Sequence, residues 1–533
     1  MKIRLMGSVA AVALSAGAAQ AEYTLHVLHI NDFHSRIEAV NGSDSTCSAA
    51  EAAEDKCFGG IARLSAKVNE LRDSLTAAGE NVILVDAGDQ FQGSLMFTTY
   101  KGAAEAEFLE QLRPDAMALG NHEFDDGPEG LAEFLDKVTF PVISGNLDVS
   151  QSNILAGRVQ NHVVLDVGGE KIGIISALAT DTTETSSPGN MVIFQDEIES
   201  LKADVATLEE EGVTKIIAVT HAGYTMDQEI AAQVPGIDAV VGGHSHTYLS
   251  ATDPNRAGPY PTWVSQESGA MVPVVQAYAY SKYLGHLKLT FADDGSLLHA
   301  AGNTILLDSS VTPDPAIEAR VAELAGPIEE VKAKVIGEAA EAIDGSRETC
   351  RQMECQMGNL VTDAMLDRVK DQGVTIAITN GGGLRASIDA GPVTMGEVLG
   401  VLPFQNTLST FTVTGADIVA ALENGVSRLE DAGGRFAQVS GLKYSFDPAQ
   451  AVGSRVSDVM VMLGGDAWAP IDEAAEYNLV SNNYVRGGGD GFRMFVDARN
   501  AYDFGPDLAD VLADYMAKSQ NYTPYLDGRI TRK

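Results

Sequence analysis

The strongest constraint on the fold is a pattern that recurs along the first half of the chain. A short, almost wholly apolar run stops abruptly in a turn carrying carboxylate, amide or imidazole groups. Val82-Ile83-Leu84-Val85 enters Asp86-Ala87-Gly88-Asp89-Gln90, and Ala116-Met117-Ala118-Leu119 enters Gly120-Asn121-His122-Glu123-Phe124-Asp125. Tyr23 to Ile30 has β character and leads into Asn31-Asp32-Phe33-His34, Thr214 to Val219 ends at His221, and Asp238 to Val241 ends in Gly242-Gly243-His244-Ser245-His246. Short apolar runs suit strands buried on both faces. Between them lies helical periodicity: Leu64, Val68 and Leu71 form one face, with Arg63, Lys67 and Glu70 turned to water, and further helices are expected near 103–112, 130–137 and 198–211. The expectation is an α/β layered fold that displays its chemistry at the carboxyl ends of strands.

Asp32 and His34, separated by one residue at a strand end, can converge on one ion. Asp89 can offer two oxygens to two cations, and Asn121 a neutral oxygen. Singly, His221 reads as an ordinary loop histidine and His244 with His246 as an exposed turn pair; the repetition of histidines at strand ends carries the argument. The predicted ligands are therefore Asp32, His34, Asp89 and His246 for a first divalent cation, and Asp89, Asn121, His221 and His244 for a second. Zinc or manganese is expected, with magnesium, cobalt or iron also compatible. Such a pair activates water for in-line attack on phosphorus. His122, oriented by Asp125, is expected to stabilise the phosphoryl oxygen or protonate the leaving alkoxide. Asp86 is expected to be structural, His26 and His29 to be core or edge residues, and Arg36 has no assigned part.

With 533 residues the chain is long enough for more than one core. Acidic residues outnumber basic ones by 74 to 36, for a formal net charge of −38. That field repels nucleic-acid polymers and anionic membranes, so an anionic substrate must be held locally by metals, arginines or backbone donors. Residues 1–21 read as an export signal: Lys2 and Arg4, an alanine-rich apolar stretch, then Ala19-Gln20-Ala21. The tail ending Thr531-Arg532-Lys533 carries no anchor signal, so a soluble periplasmic or extracellular product is expected. Nothing in the sequence fixes its oligomeric state. Four cysteines form the local pairs Cys47 with Cys57 and Cys350 with Cys355, read most simply as short-loop disulfides, with free thiols or a shared metal site as alternatives.

Gly168-Gly169 suggests a hairpin within 161–178, and residues 250–272 read as a Pro/Gly-rich loop before strands through His286 to Leu297. Asp314 to Ala340 looks helical, with Val321, Ala325, Ile328, Val331, Val335 and Ile336 as its buried stripe, and would connect two domains. The expected division is 22–312, a linker helix at 313–344, and a mixed α/β domain at 345–533. Two glycine-rich stretches there, Thr379 to Arg385 and Arg486 to Phe492, could bring backbone donors close to an anion or a sugar.

Taken together, His29 to His34, Gly88-Asp89-Gln90-Phe91-Gln92-Gly93-Ser94, Gly120 to Asp125 and Gly242 to His246 resemble the successive metal motifs of calcineurin-like metallophosphoesterases. With Asn380 to Arg385 and Gly487 to Phe492 added, nearly the whole chain resembles the secreted 5'-nucleotidase family. The resemblance implies a four-layer α/β/β/α metal domain, a linker helix, and a C-terminal domain that binds the nucleoside and swings to deliver phosphate. By motif position it implies substrate roles for Arg351, Asn380 and Arg385, an aromatic clamp of Phe404 and Tyr484, and a ribose carboxylate at Asp490. Tyr484 stands where the family usually has phenylalanine, and both cysteine pairs resemble family disulfides. The implied activity is hydrolysis of nucleoside 5'-monophosphates, with di- and triphosphates as further substrates. Alternatives are a 2',3'-cyclic-nucleotide phosphodiesterase, a nucleotide-sugar or NAD pyrophosphatase, and, from another class, a non-catalytic exported nucleotide- or metal-binding protein.

Overall fold

The computed structural model describes residues 22–42, 44, 46–180, 182–186, 188–404, 406–430, 432–462, 467–503, 505–519 and 521–533. The predicted export signal at 1–21 lies outside the described residues.

The apolar runs form the middle strands of two six-stranded sheets. In the first, the order is Leu297–Leu306, Tyr283–Phe291, Tyr23–Ile30, Asn81–Asp86, Ala116–Ala118 and Val142–Ile143. In the second it is Thr262–Ser265, Met271–Val275, Ala239–Val241, Lys215–Val219, Glu170–Ile175 and His162–Val167. The run from Val82 to Val85 is apolar throughout because it is covered on both sides. Ile83 and Val85 join Val27, Ile174, Val219 and Val241 in the core between the two sheets. Val82 and Leu84 face outward, against a layer that includes Leu64 and Val68 of the helix Ile61–Ala77. The helices Glu197–Glu210 and Tyr224–Gln233 cover the outer face of the second sheet through Leu201, Val205 and Ile230. The result is the four-layer α/β/β/α arrangement.

Parallel pairing links Tyr23–Ile30, Asn81–Asp86, Ala116–Ala118 and Val142–Ile143, and separately Glu170–Ile175, Lys215–Val219 and Ala239–Val241. Parallel strands end at the same edge, so the turns after Ile30, Asp86, Ala118, Val219 and Val241 gather there.

The C-terminal half is built on a five-stranded sheet ordered Ala437–Ser440, Ile376–Asn380, Glu476–Asn482, Leu408–Thr414 and Arg499–Tyr502. The helices Gln356–Val369 and Leu508–Ser519 pack on one side, while Gly415–Gly425 and a four-stranded sheet cover the other. Both cysteine pairs are bonded, Cys47 to Cys57 and Cys350 to Cys355.

Three expectations about elements need correction. The helix beginning at Pro315 ends at Lys332 and does not continue to Ala340. Val335–Ala339 is instead a strand paired with Gly391–Thr394. The buried stripe is Ile317, Leu324 and Ile328, while Val331 and Val335 are exposed at 44% and 57%. The helical spacing of valines simply ran on into a β-branched segment whose partner strand lies more than fifty residues away. Within 250–272, Thr262–Ser265 forms an edge strand against Met271–Val275. The strands expected from His286 to Leu297 are a hairpin of Tyr283–Phe291 and Leu297–Leu306, turning through Asp293 to Ser296.

Candidate metal centre and substrate cavity

Two glycines allow the first two ligand-bearing turns to meet. Gly88 has φ +87° and its α-carbon faces Gly120 so closely that a β-carbon would stand 2.5 Å from the Gly120 nitrogen. A β-carbon on Gly120 would in turn collide with Asp89. Only two bare backbones pack this tightly, and that packing sets Asp89 beside Asn121. Asp32, His34, Asp89, His244 and His246 all adopt left-handed backbone, with φ between 49° and 74°. Strain of this kind persists where the surrounding structure fixes the residue for a purpose.

The predicted ligands converge. Ligand atoms of Asp32, His34 and His246 lie within 4.8 Å of one another, and so do those of Asp89, His221 and His244. His34 Nε2 and His246 Nε2 face each other at 2.9 Å, and His246 Nε2 is 3.3 Å from Asp32 Oδ1. His221 Nε2 is 3.1 Å from Asp89 Oδ2, and His244 Nδ1 is 2.9 Å from Asn121 Oδ1. Asp32 and Asp89 are buried. Burial opposes their charge, but the imidazoles of His246 and His221 hold Asp32 below and Asp89 well below the usual carboxylate range. Burial and the neighbouring His246 push His34 down to about 3, so its imidazole is held neutral.

The donor set fits two divalent cations. His221 Nδ1 donates to the Ala87 carbonyl at 2.7 Å, which leaves the buried Nε2 facing Asp89 Oδ2 at 3.1 Å; burial opposes a charge on this ring, but Asp89 and Asp32 outweigh it and hold its proton up to about 10. A divalent cation would take the place of that proton between imidazole and carboxylate. Asp89 differs in detail from expectation. Its Oδ1 accepts the His122 backbone N–H at 2.9 Å, which leaves Oδ2 as the oxygen facing both His34 and His221, at 3.7 and 3.1 Å. One oxygen, not two, is turned toward both groups of histidines, because the 3₁₀ turn His122–Phe124 carries its first N–H onto the other.

His122 Nδ1 donates to Asp125 Oδ2 at 2.7 Å, and Asp125 is itself held by Gln92 and by the Ser186 hydroxyl. Burial opposes protonation of His122, but the carboxylates of Asp125 and Asp89 outweigh it and hold the proton up to about 10. As expected, Asp86 is structural: it accepts from the Gly88 N–H and from Gln90 Nε2. His26 pairs with His286 and His29 with Tyr260, both away from the ligand set.

Glu123 stands inside a ligand-bearing motif with no role expected of it, and it is central. Fully buried, its carboxylate accepts the backbone N–H groups of Asp89, Gln90, Phe91 and Gly120 at 2.7–3.2 Å. It clasps the two ligand turns together. A second missed residue is Asn31, whose Nδ2 donates to Asp32 Oδ2 at 2.7 Å. Neighbourhood in sequence was the only available signal for either.

The residues singled out in the C-terminal half share one cavity of about 530 Å³, lined by Arg351, Asn380, Arg385, Phe404, Tyr484 and Asp490. Phe404 and Tyr484 are 41% and 47% exposed, so neither ring is a core aromatic. Arg385 lies over Phe404, 5.4 Å from the ring centroid. Arg351 Nε is buried without a partner, and burial together with Arg347 and Arg385 pulls its pKa down. Such a group is suited to an anion. Asp490 accepts from Asn380 Nδ2 at 2.8 Å and from the Tyr484 hydroxyl at 3.2 Å. The Tyr484 hydroxyl therefore ties its ring to the Asp490 carboxylate, a contact phenylalanine could not make.

Residues 25–248 match the calcineurin-like phosphoesterase family, and residues 335–497 match the 5'-nucleotidase C-terminal domain family. A 5'-nucleotidase of Diplobatis ommata is 40% identical over 538 aligned residues, covering 97% of this chain and 91% of that relative. The chain belongs to the 5'-nucleotidase family. Among solved structures, a 5'-nucleotidase precursor from Thermus thermophilus is 41% identical with a TM-score of 0.67, covering 96% of this chain and 99% of its own. The NAD nucleotidase of Haemophilus influenzae is 27% identical with a TM-score of 0.69 over the same shares. Members of the 5'-nucleotidase family thus share this chain's two-part architecture from end to end.

Proposed function

We propose that the chain is an exported enzyme that hydrolyses nucleoside 5'-monophosphates to nucleoside and inorganic phosphate. In this reading Asp32, His34, Asp89 and His246 hold one divalent cation, and Asp89, Asn121, His221 and His244 a second, zinc or manganese by donor type. When bound, the two cations polarise the phosphoryl group and lower the pKa of water. The carrying observation is that His34, Asp89, Asn121, His244 and His246 line a cavity of about 620 Å³ whose wall includes Phe404, one side of the arginine-rich aromatic cavity. A molecule with its base on the Phe404–Tyr484 clamp is thereby directed toward the imidazole and carboxylate cluster.

In the reaction, Arg351 and Arg385 supply positive potential inside a molecule of formal charge −38. Asp490, preset by Asn380 and Tyr484, accepts ribose hydroxyls. His122, kept protonated by Asp125, donates to the phosphoryl oxygen or to the departing 5' alkoxide. Two bonded cysteine pairs and the predicted signal at 1–21 support export. Among the described residues no helix is long and apolar enough to cross a membrane.

The test is a substrate panel after loading with zinc or with manganese: AMP, the cyclic AMP isomers, UDP-glucose and NAD. AMP turnover faster than that of the cyclic esters is the expected result. Negligible AMP turnover beside rapid cyclic-ester or pyrophosphate cleavage would replace this reading with a diesterase or pyrophosphatase.

A further inference from the structure

The cavity beside the ligand residues and the arginine-rich aromatic cavity share the lining residues Arg36, His246, Tyr280, Phe404 and Asn406. Arg36 is the one lysine or arginine among them. Its guanidinium carbon lies 5.1 Å from the centroid of Tyr280, whose ring in turn packs against His34 and His246 at 5.5 and 5.2 Å. Arg36 Nε is buried and makes no hydrogen bond. Asp44, which lines the same cavity as Arg36, is already engaged by Lys282 Nζ at 2.8 Å and the Tyr278 hydroxyl at 2.7 Å. A cation held over an aromatic ring, largely desolvated and with an unused donor, is matched by an anion arriving at the junction of the two cavities.

Which anion follows from the chemistry of the ligand, and this step rests on the reading above that places the nucleoside on the aromatic clamp and the reacting phosphorus beside Asp89, Asn121 and His122. In a nucleoside monophosphate, the atoms spanning the junction are the uncharged 5' methylene and the ester oxygen. In a nucleoside diphosphate, the junction is filled by the inner phosphate. We propose that Arg36 binds that inner phosphate and is a specificity-determining residue favouring nucleoside diphosphates over monophosphates. Water adds to the terminal phosphorus as the bond from that phosphorus to the bridging oxygen breaks. The electron pair stays on the bridging oxygen, now part of the inner phosphate, and the products are nucleoside monophosphate and inorganic phosphate.

The experiment compares Arg36→Met and Arg36→Lys with the parent protein, all zinc-loaded and full length, on ADP and AMP. A parallel arm measures calorimetric binding of α,β-methylene-ADP and of adenosine. For Arg36→Met, kcat/KM for ADP should fall at least about tenfold further than that for AMP, chiefly through KM, as loss of a charge-assisted contact implies. Arg36→Lys should recover part of the loss. Affinity for the methylene analogue should fall in parallel, while adenosine affinity falls by less. Equal losses on ADP and AMP, or an undiminished affinity for the analogue, would overturn the assignment. A parent protein inactive on AMP would overturn the hydrolase reading instead, and the analogue-binding arm would still decide the part played by Arg36.

Discussion

Because a carbonyl oxygen can only accept, the 2.7 Å contact from His221 Nδ1 to Ala87 keeps a proton on that nitrogen and aims the other nitrogen at Asp89. The same economy holds for Glu123, whose two oxygens each accept two backbone N–H groups from the turns bearing Asp89 and Asn121. Glu123→Gln would point an amide N–H₂ at one such pair of donors. It should lower stability by about 2–3 kcal/mol and weaken metal affinity by about ten- to a hundredfold. Denaturant unfolding and metal titration would check the two effects separately. His122→Ala should behave differently, since the ring lies outside both predicted ligand sets. Metal analysis should still find two ions per chain, while turnover of AMP falls by at least about tenfold. Unchanged turnover would remove His122 from the chemistry.

At the level of elements, the strand ends were legible because burial on both faces leaves an unmistakable apolar run, and because carboxylates and imidazoles have no reason to end such runs repeatedly. What the sequence could not show was reach. Val331, Val335 and Ile336 kept helical spacing, yet the helix stops at Lys332 because Val335–Ala339 pairs with a distant strand. Glu123 and Arg36 were visible as charges, but nothing local said that one faces four N–H groups and the other a ring contributed by Tyr280. Tertiary partners of this kind also set titration. Asp238 accepts the Ile216 N–H where the strand Lys215–Val219 begins, and burial pushes its carboxyl up to about 7. A folded value above the unfolded one means the native state binds the proton more tightly. Stability is therefore greatest at low pH on this account and is lost as pH rises through the folded value. Asp238→Asn keeps an acceptor for the strand, and it should make the protein more stable than the parent by on the order of 1 kcal/mol at about pH 8. Thermal unfolding measured toward about pH 5 should show that advantage shrinking.

Across the whole molecule, the formal charge of −38 and the arginines of the substrate cavity act on an incoming phosphate with opposite signs and over different distances. The acidic surface acts at long range and is screened by salt, with a Debye length of about 30 Å at 0.01 M falling to about 8 Å at 0.15 M. Arg351 is largely buried and acts at contact, where salt has little purchase. Adding salt should therefore remove more repulsion than attraction. Between about 0.01 M and about 0.15 M ionic strength, kcat/KM for AMP should rise by about two- to fivefold. kcat should stay nearly constant, because the bound phosphate already lies inside the field of its local partners. Steady-state kinetics in sodium chloride at fixed free metal would read this directly. A fall in kcat/KM with salt would mean that the arginine-lined mouth, and not the acidic surface, governs approach to the site.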